Sequence, residues 1–511
     1  MKTLDELRME IDEADKDLLD AFERRLKVAK SIGENKRIDG KPVFDPEREK
    51  LKIERLEGLA GFMSKPYVGR LYKEIMDIAK DLESKPLFGV LGQKLPHTYS
   101  PEIHSLITND YAYTIIEKEE SELNELWDQG RRGVYGGFNV TIPYKKNACA
   151  MCDELTPGAR EIGAVNTVVF RQDGTSLGAN TDVYGFKFML KSSGIDPAGK
   201  VVLILGTGGA SVAVEAALKE MGASDIRFVS RSGAIDYSNV YDSCADAKII
   251  VNCTPVGMYP DIDETPVDIK RFEGLEAVAD IVYNPSCTRL LYEADKAGLK
   301  TAGGLKMLVA QAFKASAFFR GAKNDEEAEA AVKDEDIARV TFLLENKMKN
   351  ITIIGMPGSG KTRFARWLGT NLGRDVVDLD VVYAEEYGET CAETLRRGGE
   401  DVFRDREAKI ARKYLSRSGL IISCGGGVIV REENHFPIKC NSVVIYNERP
   451  LNVLSLNNRP LSAGHGVEKL FEQRREKYES LADIVIHVDE KDTLEEYLNE
   501  ALEKYYEAAC T

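Results

Sequence analysis

The chain has 511 residues, roughly three times the size of a usual domain, which excludes a single hydrophobic core. Its composition, 43% hydrophobic and 30% charged, is that of a globular protein, and no stretch reaches the roughly 18–20 uncharged apolar residues of a membrane span. A formal net charge of -15 disfavours non-specific binding to nucleic acid or to an anionic membrane, both of which require a positive surface, so the expected partners are small molecules.

From Leu4 to Lys36 apolar residues recur at three-and-four spacing, which predicts one long helix. Asp45 followed by Pro46 reads as an N-cap and first turn, starting a second helix that stops near Gly58 and Gly61. Pro66 opens a third, running to about Glu83. Residues 87 to about 320 then alternate short β-branched runs with helical stretches, which predicts parallel α/β architecture. A charged helical tail follows, and after residues 348–350 a new strand, ITIIG, begins a last α/β unit. The expected organisation is therefore multidomain. An all-α helical domain spans 1–85, and an α/β unit spans 86–347. The latter has a substrate part at 86–190 plus 300–347 and a Rossmann part at 191–299. An α/β phosphate-loop domain covers 348–511. The N-terminal stretch MKTLDELRMEID is charged throughout, so the cytoplasm is the expected location. The nine cysteines lack paired metal spacing, and Cys149 and Cys152 read as structural thiols one helical turn apart.

In the first helix Arg25 and Lys36 are eleven residues apart, close to three turns, so they share a face. Arg8 lies seventeen residues before Arg25, roughly 100 degrees round and about 25 Å away along the axis. It cannot reach the same small ligand within its own helix, whereas an antiparallel helix from a second chain could bring it there. With Glu23, Asp45, Arg48 and Glu49, this pattern resembles the all-helical chorismate mutases. The resemblance implies a homodimer through the helical domain. Arg8 of one chain would act with Arg25, Lys36 and Arg48 of the other on the carboxylates and ether oxygen of chorismate, while Asp45 and Glu49 position its hydroxyl. Cations on a buried face are hard to explain as packing. Glu83 stands where many members carry glutamine, and Ala79 where a hydroxyl is common. A carboxyl at Glu83 donates to the ether oxygen only when protonated, so mutase activity is expected to fall as pH rises through neutrality. The other reading of this domain is a dimerising or effector-binding regulatory module.

The central unit carries Thr98 and Ser100 in HTYSP, Thr141 and Lys145 in NVTIPYK, Asn166 in GAVNT, and Asp182 in GANTD. A strand ending at Gly206 is followed by Gly208, Gly209, Ala210 and Ser211, a dinucleotide-binding turn whose third fingerprint glycine is replaced by serine. The next strand ends at Ser230-Arg231, where a cation rather than an acid favours the extra phosphate of NADP(H). Together with Tyr283 and with Gln311 in GGLKMLVAQA, these motifs resemble shikimate dehydrogenase from about Leu87 to Arg320. The resemblance makes Lys145 and Asp182 the catalytic pair for reduction of 3-dehydroshikimate. Thr98 and Ser100 would hold the carboxylate, and Thr141, Asn166, Tyr283 and Gln311 the hydroxyls. Thr98 replaces the family's usual serine, and Arg289 stands where proline is expected. Quinate, with one more hydroxyl, is the competing substrate.

The strand ITIIG runs into Gly355-Met356-Pro357-Gly358-Ser359-Gly360-Lys361-Thr362, a phosphate-cradling loop opening a helix. Its backbone amides and Lys361 would hold ATP phosphates, and Thr362 would ligate Mg2+. With Asp378, Asp380, Arg404, Gly426, Gly427, Arg459 and Arg474 in order, residues 350–500 resemble shikimate kinase. That resemblance makes Asp380 the group that orients and deprotonates the acceptor hydroxyl. Arg404 and Arg474 would hold the substrate carboxylate, Gly426 and Gly427 would give backbone contacts, and Asp378 would act on the magnesium shell. Arg459 would reach the phosphates from a lid. The stretch between Arg449 and Arg459 is shorter than the family's, and the residue contacting adenine is not legible.

Overall fold

The computed structural model describes residues 2–42, 44–96, 98–454, 466–487, 500 and 502–505. Arg459, Val43 and His97 lie outside the described residues. The chain divides into two compact units, Met1–Thr181 with Ala312–Val332, and Asp182–Gln311 with Lys333–Thr511.

The first unit begins with helices Leu4–Ile38, Pro46–Leu59 and Lys65–Ser84. Asp45 caps the second as its sequence requires, its carboxylate accepting from the Arg48 amide at 3.1 Å with Pro46 in the first turn. The first and third helices approach closely at Gly33, where a Cβ would meet the Glu83 Cα at 3.2 Å. The apolar stripe of the long helix is only partly used within one chain. Ala29 is buried, while Leu4, Leu7, Ile11, Leu18 and Leu19 are exposed.

Beyond these helices a six-stranded sheet is built from β1 (Leu87–Gly92), β2 (Ala112–Glu117), β3 (Gly137–Val140), β4 (Glu154–Leu155), β5 (Thr167–Phe170) and β6 (Ser176–Ala179). Its order is β2-β1-β3-β5-β6-β4. Strands β1, β2 and β3 are parallel, and β5 is antiparallel to both β3 and β6. Phe88 of β1 stacks on Phe319 at 4.3 Å between ring centres, so the later segment of the chain returns to close this core.

The second unit contains two fully parallel five-stranded sheets. One joins β7 (Val201–Leu205), β8 (Asp225–Val229), β9 (Ile249–Asn252), β10 (Ala277–Asp280) and β11 (Lys300–Gly303) in the order β11-β10-β9-β7-β8. The other joins β12 (Asn350–Ile354), β13 (Val376–Asp378), β14 (Ile421–Ser423), β15 (Ser442–Glu448) and β16 (Ile484–His487) in the order β13-β14-β12-β15-β16. Strands β9 and β12 are buried along their whole length, as expected of parallel sheets covered on both faces. Among the described residues no helix is long and apolar enough to cross a membrane.

Candidate active sites

The phosphate loop follows β12, and Gly358 and Gly360 take φ of 86° and 94°, conformations that side chains resist. Lys361 opens the helix Lys361–Leu372, and its Nζ donates to the Gly355 and Met356 carbonyls at 2.9 Å each. The Thr362 hydroxyl donates to Asp378 Oδ2 at 2.6 Å, and the other Asp378 oxygen accepts from the Asp380 amide at 3.0 Å. Two hard oxygen donors are thereby set side by side at the loop, a donor set suited to Mg2+ that shares its shell with phosphates and water.

Next to it lies a cavity of about 680 Å³ lined by Asp380, Arg404, Glu407, Gly425, Gly426, Gly427 and Arg474, among others. Gly399, at φ 81°, interrupts the helix Cys391–Leu415 and leaves its second part to carry Arg404 and Glu407. Arg404 is buried and bound to Glu407 at 2.5 Å and Glu400 at 3.2 Å. Arg474 donates to the Gly426 carbonyl at 2.9 Å. A Cβ at Gly427 would overlap the Arg404 guanidinium, and one at Gly426 would strike Pro357, so only glycine fits here. Burial pushes the Glu407 carboxyl up against the downward pull of Arg404. The cavity thus sets two guanidinium groups, Arg404 and Arg474, and the carboxylates of Asp380, Glu385 and Glu407 beside a phosphate loop. Arg449 lies near that loop, its Nη1 3.9 Å from where a Gly360 Cβ would stand.

In the first unit, Thr98 and Ser100 sit at the start of helix Ser100–Ile107 with their hydroxyls 3.2 Å apart. Thr141 follows β3, its amide donating to the Leu91 carbonyl at 2.9 Å. Lys145 opens helix Lys145–Met151, and its backbone carbonyl accepts from the Val165 amide at 3.0 Å. Asn166 is buried, and its carboxamide pairs with the amide and hydroxyl of Thr181 at 2.8 and 3.0 Å. Asn139 lies behind it, receiving the Tyr113 hydroxyl at 2.7 Å and facing His104 Nε2 at 3.0 Å. Burial holds His104 down at about 3, so the ring is neutral and positions Asn139 without titrating.

In the second unit Asp182 is buried and opens helix Asp182–Ser192. A Cβ on Gly185 would lie 2.6 Å from the Met307 carbonyl and 3.0 Å from Gln311 Cβ, so this glycine lets helix Leu305–Phe319 bring Gln311 beside that first turn. Gly206, at φ 96°, makes the turn after β7, while positions Gly208 and Gly209 face open space, as a turn that presents its backbone to a diphosphate requires. The Ser211 hydroxyl donates to the Gly208 carbonyl at 2.7 Å, and Ala210 stands at the N-cap position of the helix Ser211–Glu220 without a side-chain cap. Arg231 is exposed on the turn after β8, and Tyr283 lies three residues past the end of β10.

A second cavity, about 140 Å³, is lined by Arg25, Lys36, Asp45, Arg48, Glu49, Lys52, Lys80 and Glu83 together with apolar residues of the three helices. Arg8 is not in this lining. Lys36 Nζ lies 2.9 Å from Glu83 Oε2, and Lys80 Nζ 3.4 Å from Glu49. Burial, then the nearby charges of Arg25 and Arg48, pull the Lys52 ammonium down.

Comparison with known proteins gives each site a relative. The chain is 36% identical over 253 residues to the shikimate dehydrogenase (NADP(+)) of Clostridium beijerinckii, covering 47% of this chain and 93% of that one. The chain belongs to the shikimate dehydrogenase family. The corresponding enzyme of Clostridium perfringens is 37% identical over 269 residues, covering 49% of this chain and 97% of the relative. The shikimate dehydrogenase substrate binding domain model matches residues 90–168, the chorismate mutase type II model 7–84, and the shikimate kinase model 357–506. The polypeptide is thus a shikimate dehydrogenase fused to a chorismate mutase domain and a shikimate kinase domain. A crystal structure of a chorismate mutase/shikimate 5-dehydrogenase fusion protein from Clostridium acetobutylicum is 33% identical, covers 52% of this chain and 98% of that one, and has a TM-score of 0.48.

Several residues that line or support these candidate sites escape sequence reasoning. Glu407 is three residues past Arg404 on one helix face, and Lys52 four past Arg48, spacings that carry a signal once a helix is assumed. Lys80 and His104 have no local signal, since only tertiary packing brings them to their partners.

Proposed function

We propose that this chain reduces 3-dehydroshikimate to shikimate with NADPH, phosphorylates shikimate at its 3-hydroxyl with ATP and Mg2+, and rearranges chorismate to prephenate. The domain boundaries assigned are 1–85, 86–347 and 348–511. Two nucleotide-binding folds with unlike chemistry on one polypeptide support consecutive reactions, and the cavity beside the phosphate loop carries the reading furthest. Its buried Arg404 and Arg474 suit a carboxylate, and Asp380 suits a hydroxyl that must lose a proton.

In the reductive step NADPH supplies hydride to the carbonyl carbon. Lys145 donates a proton to the oxygen that becomes an alkoxide, and Asp182 holds that lysine charged and binds a ring hydroxyl. Thr98 and Ser100 grip the carboxylate, and Thr141, Asn166, Tyr283 and Gln311 read the hydroxyls. Arg231 favours NADP(H) over NAD. In the kinase, Asp380 takes the proton of the attacking hydroxyl. Lys361 and the loop amides neutralise the phosphates, Thr362 and Asp378 hold magnesium, and Arg459 is assigned to the transition state. In the helical domain the cations of one cavity, Arg25, Lys36 and Arg48, with Arg8 from a second copy, hold chorismate in its reactive shape. That assignment requires a homodimer. The cytoplasm is the assigned location.

Arg25→Ala is the test of the helical domain. It should abolish prephenate formation while dehydrogenase and kinase turnover persist. Unchanged mutase turnover, or a chain with no mutase activity whose other activities shift on adding chorismate, would replace this reading with a regulatory module.

A further inference from the structure

We infer that the dinucleotide-binding part of the dehydrogenase carries a docking surface for the kinase of its own chain, joining the two into one cooperatively folded body. Ile262 from the dehydrogenase and Phe436 and Cys440 from the kinase form a single buried apolar cluster, flanked by Tyr259 and Tyr292. Phe436 is only 2% exposed, and the cover of its ring comes from the other domain, with Tyr292 at 5.3 Å and the Arg289 guanidinium at 5.1 Å. Polar contacts fix the register of the apolar ones. The Cys287 amide donates to the Cys440 carbonyl at 3.0 Å, Ser286 Oγ donates to the same carbonyl at 3.1 Å, and the Ser286 amide donates to Asn441 Oδ1 at 3.2 Å. Asp263 stands between cations of both domains, 2.7 Å from Arg412 and 3.7 Å from Arg289.

This surface explains Arg289, the residue found where the family pattern has proline. It occupies the first position of helix Arg289–Lys296, after the Thr288 cap, where proline is well tolerated. Local structure therefore does not demand arginine, whereas its contacts with Asp263 and Phe436 use both its charge and its planar face. Each side of the interface is also continuous with an element of a proposed site, the substrate-binding Tyr283 on the dehydrogenase side and the phosphate loop on the kinase side. The docked residues 284–287 directly follow Tyr283, and Thr288 donates to Asp280 at the end of β10 at 2.8 Å. On the kinase side, β15 starts just after Asn441 and ends at the phosphate loop, where Asn447 Nδ2 donates to the Ser359 carbonyl at 2.8 Å. A ligand that binds only the folded dehydrogenase half must then stabilise the kinase as well, because linkage acts on the whole cooperative unit.

The use of NADP+ as that ligand rests on the dehydrogenase reading above, and one experiment separates the two. Hydrogen exchange is followed in the full chain, with and without NADP+, at residues 201–220 and 435–447 in the same digest. The expected result is that NADP+ slows both segments. Arg289→Pro and Arg412→Ala should keep the first effect, lose the second, and speed exchange at 435–447 by about tenfold in the ligand-free chain. Protection confined to 201–220 in the unaltered chain, or equal protection of 435–447 in the variants, would overturn the docking surface. If 201–220 shows no protection, it is the cofactor reading that fails. The ligand-free comparison then decides alone: unchanged exchange at 435–447 in both variants overturns the surface, and faster exchange supports it.

Discussion

Glu407 sets the geometry of Arg404 from within the cavity wall, and its removal should be felt in binding. Glu407→Gln leaves a buried guanidinium short of its closest anion, and breaking such a pair costs about 3–5 kcal/mol. The expected outcome is a shikimate KM raised roughly tenfold or more, with a smaller change in kcat, read from steady-state kinase kinetics. Asp280 makes a second residue-scale prediction. It is buried, accepts from Thr288, Asn252 and the Val282 amide, and burial raises its carboxyl from 3.8 to about 7. Between pH about 4 and about 7 the folded chain therefore holds a proton that the unfolded chain has released. Stability should fall as pH rises through this window, by about 1.4 kcal/mol per pH unit from this group alone. Asp280→Asn should flatten the slope in denaturant titrations at pH 5, 6 and 7, and an unchanged slope would show that Asp280 does not titrate there. Such residues are poorly legible in sequence. Asp380 announces itself in Asp-Leu-Asp after a strand, whereas Asp280 acquires its character only from the depth at which β10 buries it.

At the scale of elements, periodicity reads the three N-terminal helices to within two residues at their starts and ends, because Asp45, Pro46 and Pro66 punctuate them. What periodicity does not tell is which apolar face finds its cover within the chain. Leu7, Ile11 and Leu18 belong to a helix stripe that is exposed here, and a second copy is the cover that the proposed function requires. Placing a charge on that stripe with Leu18→Glu should therefore yield monomers in sedimentation velocity and lose mutase turnover. Retained dimers with full mutase turnover would place the interface elsewhere. The phosphate loop is legible for the opposite reason, since strand, glycines, lysine and helix are contiguous and need no tertiary information.

For the whole molecule, motif order makes the succession of three domains legible, but their contacts are not, because Arg289, Asp263 and Phe436 are far apart in sequence and individually ordinary. The proposed function has one polypeptide perform two adjacent reactions. It is tested most directly by incubating the purified chain with 3-dehydroshikimate, NADPH, ATP and Mg2+ and following products by mass spectrometry. Shikimate 3-phosphate should accumulate with stoichiometric NADPH oxidation, and with Asp380→Asn the products should stop at shikimate. Failure to oxidise NADPH, or oxidation with no phosphorylated product from the unaltered chain, would contradict it.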